Sequence, residues 1–387
     1  MNQKERIEQY LHKLCKEIGP RPTGSNANRA AVEFACAEFE AGGLSVERQE
    51  FDCMNWQNHG GTLKVDGQSA TIAPAPYSLP CSVQAELICI RSVKQLRKAD
   101  LTSKIVVLYG ELCQEPLMPK SFMFWNPEEH QEIIALLERG KPCAVITASL
   151  DSNELIPVIE DGDFEIPCAV VSKSSLSLLL SGETAELTLR TDRSATRAAN
   201  VIATYGDGPQ KVCFSAHIDT APGTPGALDN ASGVAVLLAL AASLRGNDYP
   251  YRIEFVLFNG EDYYSNAGEM IYLRSSLATP DEYICAFNVD GVGLRGSNIS
   301  YSFYECPATL EEAVINLGRQ TPEFEQIDPW PQGDHTLFAV SGVPAIAITS
   351  SKIFELLKSI LHTENDKIEL LDIDKLERLV DFLQHSI

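Results

Sequence analysis

The chain has 387 residues, 44% of them hydrophobic, enough for two domains or one domain with a large insertion, and enough to bury a full core. Its 31 basic residues against 53 acidic ones give a net charge of -22 with no basic run as a local exception, which argues against nucleic acid and anionic membranes as partners. No stretch approaches the length of a membrane span and the N-terminus lacks the apolar core of a signal peptide, so a cytoplasmic protein is expected. The eleven cysteines include no Cys-x-x-Cys pair and read as reduced core residues.

Apolar positions at Ile7, Tyr10, Leu11 and Leu14 predict a first helix over 3–16. Gly19-Pro20-Arg21-Pro22-Thr23-Gly24-Ser25 breaks it, a second helix follows from about Asn28 to Ala41, and Leu44 to Phe51 alternates as a strand. From about residue 53 the texture changes to short strand candidates, at Gly61 to Val65, Ala85 to Ile90, Lys104 to Tyr109, Cys143 to Thr147 and Ile166 to Ser172, with one clear helix from Glu128 to Arg139. This predicts a smaller β-rich α+β domain at 53–195 inserted into a domain made of 1–52 and 196–387, with the charged stretch Arg190 to Arg197 as the linker.

From Ala199 strands and helices alternate: strands 200–204, 212–216, 253–259, 283–289 and 345–349, helices 232–245, about 265–277, 308–320 and 374–385. The pattern predicts an α/β fold with a mixed, largely parallel sheet sandwiched by helices. In such a sheet, sites gather at the carboxyl ends of the strands.

The candidates for chemistry stand at such ends. Lys211 to Ser215 is a strand that delivers His217 and Asp219 two residues apart, on one face, so that one ring nitrogen of His217 could bind a metal while Asp219 orients the ring. Asp229 precedes the apolar helix from Val234, where Asn230 or Ser232 is available as a cap. Glu261 and Asp262 follow one strand, Asp290 follows another, and His362 lies in Leu361 to Asp366. Each alone has a bland reading as a structural hydrogen bond, a turn or a cap. Together they have the ligand chemistry of a paired zinc site: His217 and Asp290 could hold one metal, Asp262 and His362 the other, with Asp229 bridging. Glu261 is then left over, in the place of a general base for hydrolysis by an activated water.

These motifs resemble the zinc aminopeptidases of the aminopeptidase S type, a family of clan MH metallopeptidases that also includes glutamate carboxypeptidase and the glutaminyl cyclases. The resemblance rests on the Gly19 to Ser25 stretch, His217-Ile218-Asp219, Asp229 to Gly233, Glu261-Asp262, Asn288-Val289-Asp290, Gly333 to Phe338 and His362-Thr363. The 53–195 segment looks like the protease-associated insert of many members. The resemblance implies the zinc exopeptidase fold, a two-zinc site (cobalt or manganese as alternatives) held by His217, Asp229, Asp262, Asp290 and His362, Asp219 supporting His217, Glu261 as general base, and a cis peptide after Asp229. It further implies peptide substrates shortened from the N-terminus, with a carboxypeptidase, a single-zinc glutaminyl cyclase or a catalytically silent binding protein as alternatives, and a homo-oligomer left open. Two features set this chain apart: Asp262 where Glu is common, and Tyr263-Tyr264-Ser265-Asn266 where the family often has a Gly-rich turn. Asp334-His335 recurs near the family's substrate pocket, and His335 is not assigned as a ligand.

Overall fold

The computed structural model describes residues 2–123, 125–148, 155–356 and 360–386. The chain forms two compact units, one of Met1–Cys53 with Thr196–Ile387, the other of Met54–Ala195.

The first unit opens with a helix, Gln3–His12, fixed by a capping box in which the Asn2 side chain accepts from the Glu5 amide and Glu5 reaches back to the Asn2 amide. Ser25 caps the next helix, Asn26–Ala41, in the same way, by accepting from Asn28. The sheet of this unit runs, from one edge, Phe324–Gln326, Ile299–Tyr304, Ala345–Ser350, Tyr283–Val289, Lys211–His217, Arg252–Phe258, and the end of Thr184–Tyr205. The four central strands, from Ala345–Ser350 to Arg252–Phe258, are mutually parallel. Strand Ile299–Tyr304 and the end of Thr184–Tyr205 flank them antiparallel.

The central strands are apolar on both faces because both faces are covered. Phe255, Phe214 and Phe287 are direct cross-strand neighbours whose rings follow one another at 5.6 and 5.2 Å, and Phe39 of the second helix packs on Phe255. On that side helix Ser232–Ser243, buried from Ser232 through Ala241, is surrounded by the N-terminal helices and the C-terminal helix Ile373–His385. Phe258, Tyr272 and Phe338 form a second ring cluster with helices Ala267–Ser275 and His335–Val340.

The second unit has its own core under a sheet in which Cys81–Ile90, Ile105–Leu108, Ala144–Ala148 and Cys168–Val171 are parallel in that order, with helices Glu128–Gly140 and Lys173–Ser181. Two of the sequence expectations need correcting. The stretch from Arg190 to Arg197 is not a linker: it lies inside one continuous strand, Thr184–Tyr205, whose beginning pairs with Cys81–Glu86 and whose end pairs with Leu257–Ile253. The strand expected to end at Phe51 likewise runs on as Ser45–Val65. Among the described residues no helix is long and apolar enough to cross a membrane.

Candidate metal centre

The register of the parallel strands sets the site. Phe258 lies opposite His217 and Asn288 opposite Ser215, so the chain leaves all three strands at one level. The next residues are Asp219, then Glu261 and Asp262, then Asp290. Asp229 is delivered by the turn entering helix Ser232–Ser243, where Asn230 Oδ1 accepts from the Gly233 amide and its Nδ2 donates to the Val289 carbonyl. The Asp229-Asn230 peptide is cis.

The side chains form two interlocked triads. His217 Nε2 lies 2.9 Å from Asp229 Oδ1 and 3.5 Å from Asp290 Oδ1. His362 Nε2 lies 2.9 Å from Asp262 Oδ1 and 3.3 Å from the other oxygen, Oδ2, of Asp229. Within each triad the potential ligand atoms lie within 4.8 Å of one another, and Asp229 belongs to both. Asp262 is oriented by the Ala221 amide at 2.8 Å. Asp219 Oδ1 stands 3.6 Å from His217 Nδ1, beyond hydrogen-bond length, while its Oδ2 accepts from the Thr23 hydroxyl at 2.8 Å.

The electrostatics are those of an anion-crowded cradle. Burial opposes charge on His217, yet Asp290, Asp219 and Asp229 outweigh it and hold the imidazole well above its ordinary range. Burial would push Asp229 up, but the two imidazoles on its oxygens hold it far below. Glu261 is raised well above the usual carboxyl value by desolvation, with His217 pulling it down and Asp262, Asp290 and Asp334 pushing it up. Imidazole and carboxylate donors without thiolate suit zinc, manganese or cobalt. Two dications sharing Asp229 would replace the protons that this geometry otherwise demands. The donor set therefore fits a pair of metal ions.

His335 stays outside the cradle: its Nε2 faces the Trp330 carbonyl at 3.1 Å and its ring lies 4.4 Å from that of Tyr304. The rings of Tyr263 and Tyr264 lie 4.5 Å apart in the turn after Asp262. Three contributors carried no individual signal in the sequence. Arg21, fully buried, donates from its guanidinium to the carbonyls of Ile218 (2.7 Å), Pro225 (2.8 Å) and Gly226 (3.1 Å), tying down the loop between His217 and Asp229. Asn259 accepts from Asn28 Nδ2 at 2.9 Å and from Thr23 at 3.2 Å. Asp366 accepts from the amides of Leu228 and Asp229. All three act through side-chain hydrogen bonds to particular groups, which leave no periodic pattern in the sequence.

A largely parallel sheet with a carboxylate–imidazole cradle at the carboxyl ends of its strands is the arrangement of the zinc exopeptidase fold. Residues 200–387, just under half of the chain, match the model of Peptidase family M28. The chain is 23% identical, over 97% of its length and 82% of the other's, to Aminopeptidase YwaD of Bacillus subtilis. It is 24% identical to the Probable lipoprotein aminopeptidase LpqL of Mycobacterium tuberculosis, of whose length the match spans only about half (51%, against 66% of this chain). The solved structure of BSAP, a zinc aminopeptidase from Bacillus subtilis, superposes with a TM-score of 0.80 at 20% identity, covering 99% of this chain and 93% of that one.

Proposed function

We propose that the protein is an aminopeptidase that removes N-terminal residues from peptides with the help of two zinc ions. The observation that carries this reading is Asp229, one carboxylate whose two oxygens face the imidazoles of two separate triads, with Glu261 beside them. A pair of zinc ions bound there would supply a water of lowered pKa and a Lewis acid for the scissile carbonyl. The chain's own residues supply the rest. His217, Asp290, Asp229, Asp262 and His362 hold the ions, and Asp219, anchored by Thr23, backs the His217 ring. Glu261 takes the proton of the attacking water and returns it to the leaving amine. The place of Glu261 directly before Asp262 suits it to that exchange. The curated relatives carrying aminopeptidase names support the choice of the N-terminal end.

The test is a mixed peptide pool incubated with zinc-loaded protein, with and without chelator, and read by mass spectrometry. Chelator-sensitive ladders shortened from the N-terminus are expected, and Glu261→Gln should retain zinc while losing turnover by about a hundredfold or more. Shortening from the C-terminus, loss of ammonia at N-terminal Gln, or an untouched pool would overturn the reading. Undiminished turnover in the variant would remove Glu261 from the mechanism.

A further inference from the structure

We infer that Asp366 is a positioning residue that acts mainly on one half of the cradle, the triad of Asp229, Asp262 and His362, and reaches the other half only through the shared Asp229; this rests on the two-metal reading above. The two halves are built differently. His217 and Asp290 stand at the ends of adjacent parallel strands, and the sheet itself fixes their separation. His362 belongs to no strand or helix, has a left-handed backbone (φ 58°), and at 46% side-chain exposure is the least enclosed of the five. Something other than the sheet must hold its segment against Asp229.

Hydrogen bonds among the described residues do so, and Asp366 makes three of them. Its Oδ1 accepts from the Leu228 amide at 2.7 Å and its Oδ2 from the Asp229 amide at 3.0 Å, while its carbonyl accepts from the Ala227 amide at 3.3 Å. Another runs from the Thr224 hydroxyl to the Thr363 carbonyl at 2.7 Å. Asp366 is fully buried, so these amides have no water to turn to if its carboxylate is lost. One carboxylate accepting from two consecutive amides fixes the peptide that carries the shared Asp229, and it does so from a point four residues beyond His362. A carboxylate is required because it accepts at both oxygens; a carboxamide would present an NH2 to one of the two N–H groups.

The experiment measures zinc directly: equivalents retained after dialysis against buffered free zinc, by elemental mass spectrometry, and the two affinities by titration calorimetry, with far-UV circular dichroism to verify folding. The wild type should hold two equivalents. Asp366→Asn should weaken one by about tenfold to a hundredfold, the scale for residues that orient metal ligands, and the other, which shares only Asp229 with it, by clearly less. Thr224→Val, which cuts the separate bond of the same clamp, should weaken the same equivalent by less, and Glu364→Gln, exposed in the same segment, should keep both. Asp290→Asn identifies the equivalents, because it should lose the other one and the Asp290→Asn/Asp366→Asn pair should retain no tight zinc. Two unaltered equivalents in Asp366→Asn, or equal weakening of both, would overturn the inference; if Asp366→Asn does not fold, an unaltered Thr224→Val overturns it. A wild type holding fewer than two equivalents would instead overturn the two-metal reading before any variant is compared.

Discussion

Replacing Arg21 by methionine tests how far the N-terminal segment supports the loop between His217 and Asp229. Arg21 is completely buried and donates three hydrogen bonds to backbone carbonyls, at 2.7, 2.8 and 3.1 Å. Methionine fills much of the same volume but leaves those carbonyls without donors, at about 1–3 kcal/mol each. Against this, the variant no longer buries a cation, which returns several kcal/mol in order of magnitude. The net is a destabilisation of about 2–4 kcal/mol, and at about 2–4 °C per kcal/mol for a unit of this size the melting transition should fall by roughly 5–15 °C. Scanning calorimetry of wild type, Arg21→Met and Arg21→Lys in zinc-free buffer measures it. Lysine also separates two origins of the effect: if the planar fork matters, Lys should fall close to Met, whereas if Arg21 acts as a positive charge among Asp219, Asp262 and Asp366, Lys should recover most of the loss. A Met variant melting within about 1 °C of wild type would mean that the released cation offsets the three carbonyls completely, and would refute a net stabilising role for Arg21.

Two further outcomes follow from buried groups away from the cradle. Glu254 is buried in its strand, where it accepts from the Tyr272 and Tyr283 hydroxyls at 2.7 and 3.0 Å and faces Lys211 at 3.4 Å. Lys211→Met removes the cation and should destabilise by about 3–5 kcal/mol in denaturant titrations, with the Lys211→Met/Glu254→Gln pair recovering part of it; a single variant as stable as wild type would refute this. Burial lowers His335 to about 4, with the Trp330 carbonyl pulling the other way. Its contribution is therefore fully present above about pH 6.5, where the unfolded chain is also neutral, and is lost as pH falls from there toward 4, at about 1.4 kcal/mol per pH unit. His335→Gln should be less steep than wild type in urea midpoints measured between pH 7.5 and 5, and identical slopes would count against the assignment.

His217, Glu261, Asp262 and Asp290 were legible because they follow apolar runs that read as buried strands, and parallel strands bring their carboxyl ends to one level; Asp229 and His362, which follow no strand, were legible only through the resemblance and their ligand chemistry. Helix Ala308–Gln320 and strand Tyr283–Val289 lie at the residues their patterns predict. What the pattern hides has physical reasons. Strand Ile299–Tyr304 was missed because Ser300 and Ser302 are buried along with Ile299 and Tyr301, so there is no contrast between its faces. The Arg190 to Arg197 stretch looked like a linker because an extended strand with exposed positions admits charge as readily as a loop does. Arg21 and Asp366 each bond to backbone groups, and a backbone amide or carbonyl is the same in every residue. Such contacts leave no mark on the partner's sequence.

The contacts of Arg21 and Thr23 with Ile218 and Asp219 span 197 and 196 residues. Ribosomes add about 5–20 residues per second, so the N-terminal segment waits roughly 10–40 s for the strand it is built to grip. During that interval the helix bearing Ile7 and Leu11 has only helix Asn26–Ala41 beside it, where Tyr10 meets Phe34 and Glu38, since helices Ser232–Ser243 and Ile373–His385, against which it also packs, have not been made. The second unit, contiguous in sequence and with its own core, can close meanwhile. Helix Gln3–His12 thus waits on elements made only after the whole second unit, and finds its place in the fold after that unit has closed.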